Sequence, residues 1–351
     1  MKVPQNNQME KQQKERIKMN HQKFAELGFD SFQQYRFPNI INVSVVRGDC
    51  PCQCVHCPVG MTQPNERHNN FGQTFMSISL FKKIIQEMSA FPHGTLRIHG
   101  VGEPILWREL PDALKFAFEK NVRTWLFTCL VTENHSLLKE LANYCNIIEI
   151  SINSIDEDDY KKTKGINAFN KVKKNIELLR SYAWGTNCSP RIIVSRVESE
   201  NKAYDSEFVS YWKNSTFVDD VFIRTYHDYN TMLENKFNRI REEIIPCLVH
   251  WNRFNIDCDG TAILCFNEFF KNEKPDESLL LGNIESNSIE EIWHSDKLNL
   301  IREAQLLKDY SIVESAQKLP CVSCTSCQPS GQKTSTSEHQ VELFMKKGRH
   351  E

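Results

Sequence analysis

Four cysteines stand within eight positions in GDCPCQCVHCPVG, residues 48–60, and three of them have a spacing suited to metal chemistry. Cys50, Cys54 and Cys57 form C-x3-C-x2-C, and Cys52 is an additional thiol. A 4Fe-4S cluster held by only three cysteines leaves one iron open to a substrate or cofactor. A structural zinc site is the alternative, but it usually takes paired C-x2-C ligands and a closed set of four. The x3 spacing therefore favours iron-sulfur over zinc.

The composition predicts a globular chain that acts on a small molecule or a peptide. The chain has 351 residues, 40% hydrophobic and 25% charged, with a formal net charge of −2 and no dominant basic block. This balance gives no reason to expect a nucleic-acid or membrane partner. The polar N-terminus has no apolar signal-peptide core, so a cytoplasmic location is predicted. In that reducing compartment, 13 cysteines are better explained by metal binding or chemistry than by disulfides.

Strand and helix patterns alternate along the first two thirds of the chain. One helical pattern follows a predicted N-cap at Ser77 or Ser79, and another runs through Val172, Ile176 and Leu179. Repeated βα units of this kind predict an α/β fold, a partial (βα)6 TIM-like barrel whose functional rim is the C-terminal ends of the strands. The cysteine stretch follows the first strand, on that rim. The predicted strands are INVSVV from Ile41, TLRIH from Thr95, RTWLFT from Arg123, IIEISIN from Ile147, RIIVSRV from Arg191 and DVFIRTY from Asp220.

After Pro246 the pattern changes to short alternating segments that contain six of the 13 cysteines. This change predicts a small second domain that its cysteines hold together. The stretches at either end of the chain are polar and predict an arm and a disordered tail. The predicted organisation is a polar N-terminal arm at 1–37, a barrel at 38–245, a cysteine-rich domain at 246–330 and a disordered tail at 331–351.

The order of these motifs resembles that of radical S-adenosylmethionine (SAM) enzymes, whose signature is C-x3-C-x2-C after the first barrel strand. HGVGEPIL resembles the GGEP-type turn of that family, which implies that Gly102, Glu103 and Pro104 bind the methionine amino group of SAM. SINS resembles the S-x-D ribose-binding segment. Ser151 is in place, and Asn153 stands where Asp is usual. An amide can still hydrogen-bond a ribose hydroxyl.

Three further positions carry the resemblance. YKKTKG resembles a YxxxRG stretch, with Lys164 in place of the arginine that contacts the SAM carboxylate. Lysine keeps the charge but loses the bidentate fork. His56 stands at a usually aromatic position and either lies against adenine or is a plain loop residue. Cys129 replaces the Asn of a TNG segment, and either donates a hydrogen atom to a substrate radical or packs as a small buried side chain.

The resemblance implies that Cys50, Cys54 and Cys57 ligate a SAM-binding 4Fe-4S cluster, with Cys52 dispensable. Such a cluster, reduced by an electron donor such as flavodoxin or ferredoxin, cleaves SAM and yields a 5′-deoxyadenosyl radical. That radical abstracts a carbon-bound hydrogen from the substrate, and the protein positions both.

The cysteines after Pro246 resemble a SPASM or shorter twitch extension. Cys247 is followed by C-x12-G-x4-C spacing through Gly260, and the late PCVSCTSC holds further thiols. Zinc is a stronger alternative here, because C-x2-C pairs are its ordinary spacing. Cys258 and Cys327 are additional thiols, and with them a second auxiliary cluster remains an alternative. The resemblance implies one auxiliary 4Fe-4S cluster on Cys247, Cys265, Cys321 and Cys324.

The leading hypothesis is a radical SAM oxidoreductase or epimerase acting on a small sugar-like or aminocyclitol substrate. A maturase of a ribosomally made peptide is the alternative. Only about forty residues precede the first strand, too few for the leader-binding domain of many such maturases. A noncatalytic zinc-stabilised binding protein is the third hypothesis.

Overall fold

The structure, a computed structural model, describes residues 36–186, 188–237, 247, 249–271, 275–314, 316–322 and 324, and the backbone of 329–330 and 333–334. The predicted arm lies outside these residues except for its last two positions, as does Cys327. Of the predicted tail, only Lys333–Thr334 are described, and they pair with Pro329–Ser330 in a two-stranded sheet. Among the described residues, no helix combines the length and apolarity needed to cross a bilayer.

The predicted strands all form, and they lie side by side in one parallel arrangement in the order in which they follow along the chain. Burial is nearly complete along the first, fourth and fifth of them, which explains their almost unbroken runs of β-branched residues. The last of them, Asp220–Arg224, is mostly half-buried. The alternating pattern therefore predicted the α/β barrel architecture correctly. The strands are β1 Ile40–Arg47, β2 Thr74–Phe75, β3 Thr95–Val101, β4 Arg123–Thr128, β5 Ile147–Ser151, β6 Arg191–Val197 and β7 Asp220–Arg224.

Helices follow the barrel strands and cover the outside of the sheet with their apolar faces. Ser77 caps the helix Ile78–Met88 by accepting a hydrogen bond from the Leu80 amide, so the first of the two predicted caps is confirmed. The other α-helices are Pro58–Met61, Arg67–Phe71, Leu110–Glu119, His135–Tyr144, Glu157–Lys164, Phe169–Ala183, Lys202–Lys213, Val249–Asn252, Ile289–Trp293 and Asp296–Leu307. Short 3-10 turns lie at Pro104–Leu106, Phe266–Phe270, Glu277–Leu279, Tyr310–Ile312, Ala316–Lys318 and Pro320–Val322.

The C-terminal region extends the barrel sheet. Three more strands follow the barrel, β8 Arg253–Ile256, β9 Thr261–Ile263 and β10 Leu280–Asn283. β8 pairs in parallel with β1, and β9 and β10 continue the sheet in antiparallel order. Arg47, at the end of β1, strengthens this junction with a 2.5 Å ion pair to Asp257. The two predicted domains therefore share one sheet.

The barrel interior is layered. Its lower layer is an apolar cluster of Ile40, Trp125, Ile147 and Ile193, near the N-terminal ends of the strands. Because side chains two residues apart share a face of a strand, the next layer towards the rim contains Asn42, Phe127 and Glu149. The apolar layer closes the bottom of the barrel, and a polar and charged layer faces the rim above it.

Candidate functional site

The cysteine loop follows β1 on the C-terminal rim of the barrel, where the sequence placed it. A buried arginine, Arg67, fixes the loop by donating to the carbonyl oxygens of Cys50 (2.7 Å), Cys52 (2.9 Å) and Thr62 (3.2 Å). These carbonyls belong to irregular backbone, which needs partners when it is buried. The Arg67 side chain therefore gives the loop a defined shape.

Two glycines allow other backbone to approach the cysteine loop closely. A Cβ at Gly60 would lie 2.3 Å from the Cys54 nitrogen, and one at Gly165 would lie 2.6 Å from the Gln53 Cβ. Gly165 also has a φ of +69°, which favours glycine where it ends the helix Glu157–Lys164. The Gln53 amide donates to the Lys164 carbonyl at 2.7 Å. The loop is thus clamped between two glycine-containing segments.

The loop thiols lie in mutual contact. The buried Cys52 thiol is within hydrogen-bond reach of Cys129, Cys50 and Cys54, and these contacts raise its pKa. The hydrogen bond from Cys52, aided by Lys164, lowers the pKa of Cys54 to about 6 although burial opposes the shift. The spacing predicted that Cys52 is dispensable, but its side chain lies among the other thiols.

The turn after β3 packs directly against the cysteine loop. The Glu103 amide donates to the Asp49 carbonyl at 2.7 Å, and a Cβ at Gly102 would lie 2.5 Å from the same oxygen. The buried Glu103 carboxylate accepts from the Cys129 amide (2.7 Å) and the Thr128 hydroxyl (2.5 Å). The glycine is therefore required by the close approach, and the carboxylate is held at the cavity wall.

A second polar group lies across the cavity. The buried Lys164 ammonium donates to the Ser151 hydroxyl at 2.9 Å, and both residues line the cavity. Burial acts against the charge of Lys164, but the thiols led by Cys54 outweigh burial and raise its pKa. This arrangement keeps a cation beside the cysteine loop.

Asn153 lies behind Ser151 and is not among the described residues that line the cavity. Its amide donates to the Ser151 hydroxyl at 2.9 Å, and its carbonyl oxygen accepts from the Val197 amide at 2.7 Å. Its φ of +63° is a conformation that Asn tolerates better than most residues. Asn153 therefore positions Ser151, whereas the sequence suggested direct contact with a ribose.

His56 and Cys129 both line the cavity. Burial, together with the charges of Lys164 and Arg196, lowers the pKa of His56 to about 3, so its ring is neutral. Burial raises the pKa of the Cys129 thiol to about 12. Cys129 lies at the end of β4, as predicted, and contacts both Cys52 and Glu103.

Thiols of the C-terminal region line the same cavity. Cys247, Cys265 and Cys324 are among the lining residues, and burial, followed by the nearby Cys324 and Cys247, raises the pKa of Cys265. Cys321 is buried in the adjoining apolar core. Cys258 lies elsewhere, with its thiol 3.1 Å from the Ser44 carbonyl in β1. Three of the four predicted auxiliary ligands therefore line one cavity, and Cys258 lies apart from it.

A short segment after β7 connects the two thiol groups. Tyr229, Asn230 and Thr231 have φ values of 52°, 56° and 72°, a left-handed run that is costly for residues with side chains. Tyr229 lines the cavity, and burial together with Cys57 and Cys54 raises its pKa. The Asn230 amide lies 3.9 Å from the Cys265 sulfur. Sequence patterns gave no indication of this segment.

The thiol donors fit iron-sulfur clusters, which take cysteine thiolates as ligands. The buried Tyr160 hydroxyl has no hydrogen-bond partner, and after burial the Cys52 and Cys129 thiols are the main influences that raise its pKa. A cluster would bring acceptor sulfurs to this region. In the described part of the chain, no three His, Cys, Asp or Glu side chains already converge as a metal-ligand group. The thiol chemistry and the unpartnered Tyr160 hydroxyl therefore fit a cluster beside this loop.

The contact of Gly60 with the cysteine loop leads to a first testable prediction. Gly60→Ala places a methyl group 2.3 Å from the Cys54 nitrogen, so the loop must shift and its thiols move. We expect iron affinity of the first site to fall by about 10-fold, as when supporting residues of a metal site are changed. Gly185→Ala is the control, because nothing lies within 4 Å of its added Cβ, and the backbone strain that alanine meets at its φ of +82° falls outside the residues that line the cavity. Equal iron retention by the two reconstituted variants would contradict the prediction.

Two family models match the chain. One, described as the radical SAM superfamily, matches residues 45–206, and the other, SPASM, described as an iron-sulfur cluster-binding domain, matches residues 247–328. The first domain implies a 4Fe-4S cluster and SAM as cofactors, and the second implies auxiliary iron-sulfur clusters. These assignments agree with the two groups of thiols at the cavity.

Individual relatives are distant. A probable GTP 3′,8-cyclase of Sulfolobus acidocaldarius is 25% identical over 194 residues, which cover 54% of this chain and 57% of that protein, so the match spans little more than half of the relative. Streptococcus suis SuiB bound to S-adenosylmethionine has a TM-score of 0.57 at 14% identity, covering 82% of this chain and 73% of SuiB. The anSMEcpe structure with AdoMet and the Cp18Cys peptide has a TM-score of 0.57 at 15% identity, and the match covers 87% of this chain and 95% of anSMEcpe. The two family models, which together span well over half of the chain, show that it belongs to the radical SAM superfamily and carries a C-terminal SPASM domain.

Proposed function

We propose that this protein is an enzyme that cleaves SAM reductively and removes a carbon-bound hydrogen atom from a small, sugar-like substrate, with oxidation or epimerisation as the outcome. The observation that carries the proposal is the cavity of about 270 Å³ that both thiol groups line together with Glu103, Ser151 and Lys164. Bound together, the first cluster and SAM supply a 5′-deoxyadenosyl radical, and methionine is the other product.

The residues of the first site have separable roles in this proposal. Cys50, Cys54 and Cys57 hold the cluster, and Glu103 accepts hydrogen bonds from the amino group of SAM. Lys164, fixed by Ser151, offers its charge to the SAM carboxylate. The buried positions of Glu103 and Lys164 support these roles, because charge-assisted hydrogen bonds are strong away from water.

The size of the cavity supports a small substrate. Ordinary ligand pockets measure about 300 to 1000 Å³, and the cavity that the described residues line is close to the lower end of this range, which favours a small molecule over a peptide. Phe266 and Phe270 form an aromatic wall of the cavity on the SPASM side, and Phe266 packs edge-on against His99 with ring centroids 4.1 Å apart. We expect this apolar wall to limit the access of water and stray hydrogen donors to the reacting atoms.

The C-terminal thiols are proposed to hold one auxiliary 4Fe-4S cluster, with Cys247, Cys265, Cys321 and Cys324 as ligands. The placement of three of these cysteines at the cavity supports the proposal. A flavodoxin or ferredoxin is the proposed source of the reducing electron.

Formation of 5′-deoxyadenosine tests the function. Anaerobically purified and reconstituted protein, supplied with SAM and a reductant, is screened against sugars, aminocyclitols and short peptides. We expect a small hydroxylated compound to raise the rate of 5′-deoxyadenosine formation by about 10-fold or more, because correct positioning of the substrate commits the reaction. Liquid chromatography with mass spectrometry measures both 5′-deoxyadenosine and the product.

Two results would overturn the proposal. Stimulation by peptides alone would indicate a peptide maturase. A colourless, zinc-loaded protein without broad absorbance near about 400 nm, where iron-sulfur thiolate clusters absorb, would indicate a noncatalytic binding protein.

A further inference from the structure

The layer of the barrel interior that faces the cavity contains more positive than negative charge. Arg97 on β3 and Arg224 on β7 both line the cavity, and Glu149 on β5 lies between them. Arg224 engages both Glu149 carboxylate oxygens, with one contact at 2.8 Å. The Trp125 indole donates to the same carboxylate at 3.2 Å. The Glu149 carboxylate therefore faces two guanidinium groups, and a third arginine, Arg253, also lines the cavity.

Arg97 is the cation that this network leaves incompletely paired. Its nearest contact with Glu149 is 4.0 Å, and its buried Nε atom has no hydrogen-bond partner. The guanidinium is held in place by the faces of Trp125 and Phe127, with centroids at 5.7 and 5.8 Å. Burial and the charge of Arg224 lower its pKa to about 10, against the opposing effect of Glu149. Arg97 is thus a fixed, charged donor with spare capacity.

Asn42 adds an acceptor beside this donor. It is the register partner of Arg97 across β1 and β3, and of Asn255 across β1 and β8. The Asn255 amide donates to the carbonyls of Ile263 and Leu264, which turns its own oxygen towards Asn42. The Asn42 amide donates to that oxygen at 2.8 Å, so its own carbonyl oxygen is left buried without a partner. Such an oxygen suits a substrate hydroxyl.

We propose that the substrate carries an oxyanion, a carboxylate or a phosphate, which binds Arg97 next to a hydroxyl that binds Asn42. This inference rests on the proposed function and narrows its substrate class to acidic sugars. An aminocyclitol would bring its ammonium group towards a surplus positive charge, which costs energy in a cavity of low dielectric. A guanidinium recognises carboxylate and phosphate alike, so the experiment must separate the two sources.

Four hexoses that differ in charge test the inference: glucose 6-phosphate, glucuronate, glucose and glucosamine, with inorganic phosphate as a fifth probe. Binding to reconstituted protein with SAM is measured by calorimetry and by the shift in Tm. We expect at least one anionic hexose to bind about 10-fold more tightly than glucose, because the free energy of one hydrogen bond to a charged group corresponds to about a 10-fold change in affinity or more. The tighter of the two anionic hexoses identifies the source of the oxyanion.

Variants of Arg97 locate the subsite. Arg97→Gln is expected to lower the affinity for the anionic hexose by about 10-fold or more. Arg97→Lys is expected to lower it by less, because lysine keeps the charge. Arg302→Gln is the matched control, since Arg302 is also buried and stacked on a tryptophan, Trp293, at 4.1 Å. It is expected to change Tm without changing the affinity.

Several outcomes would overturn the inference. These are equal or tighter binding of glucose or glucosamine, no binding by either anionic hexose or by inorganic phosphate, and unchanged anion affinity in Arg97→Gln. If Arg97→Gln does not fold, the affinities of the wild-type protein for the four hexoses still show whether an anionic sugar is preferred. Binding is measured without turnover, so a protein that binds anions but forms no 5′-deoxyadenosine would refute the proposed function and leave this inference standing.

Discussion

Replacing Cys50, Cys54 or Cys57 singly by Ala is expected to abolish 5′-deoxyadenosine formation while part of the protein's iron remains. Each of the three thiols is required if a cluster with one open iron is to form on this loop. The loss should exceed about 100-fold, the upper end of what residues that merely support a metal site cost when changed. Anaerobic turnover assays and iron analysis of the same preparations measure the two quantities.

Two other cysteines serve as controls for that result. Cys188→Ala should behave as wild type, because the Cys188 thiol contacts the Cys145 carbonyl at 3.0 Å, away from the cavity. Cys52→Ala should retain the site, since its spacing departs from the C-x3-C-x2-C pattern. Its thiol nevertheless touches those of Cys50 and Cys54. Loss of the first cluster in Cys52→Ala would show that the ligand assignment is wrong.

Replacing Cys265 by Ala is expected to lower bound iron from about eight to about four atoms per chain, as expected when one of two 4Fe-4S clusters is lost. Cys265 directly precedes Phe266 of the aromatic wall, and its thiol lies beside Cys247 and Cys324. Because metal binding and folding are coupled, the variant should also have a lower Tm. Iron analysis and Mössbauer spectroscopy of reconstituted protein report the two clusters separately.

Cys258→Ala provides the matched control in the same region of the chain. The Cys258 thiol contacts the Ser44 and Thr74 carbonyls and lies away from the cavity. The iron content of the variant should therefore equal that of the wild type. Wild-type iron matching a single 4Fe-4S cluster would refute the auxiliary assignment, as would iron loss in Cys258→Ala that equals the loss in Cys265→Ala.

Local sequence patterns predicted the barrel well because each strand carries its own signal. Runs such as INVSVV and IIEIS are buried on both faces, and this burial is what their β-branched content reflects. The rim position of the cysteine loop followed from the strand order alone. The helix cap at Ser77 was also readable, because a cap depends on residues three positions apart.

Other features depend on contacts between distant segments and could not be read locally. The pairing of β1 with β8 joins Asn42 to Asn255, and neither strand indicates its partner. The role of Asn153 depends on the Val197 amide, which belongs to the next strand. A signal did exist for the charged interior, because Arg97 and Glu149 each interrupt an apolar strand. A lone charge within such a run indicates either a strand edge or a polar barrel interior.

The pairing of β8 with β1 has a consequence for synthesis on the ribosome. The first strand of the barrel emerges early, but its partner on one side lies more than 200 positions later, as the 213-residue separation of Asn42 and Asn255 shows. During elongation, β1 therefore exposes an unpaired edge of mostly apolar residues. Such edges promote association between nascent chains. Late closure of the sheet makes the growing chain dependent on protection until its C-terminal third has been translated.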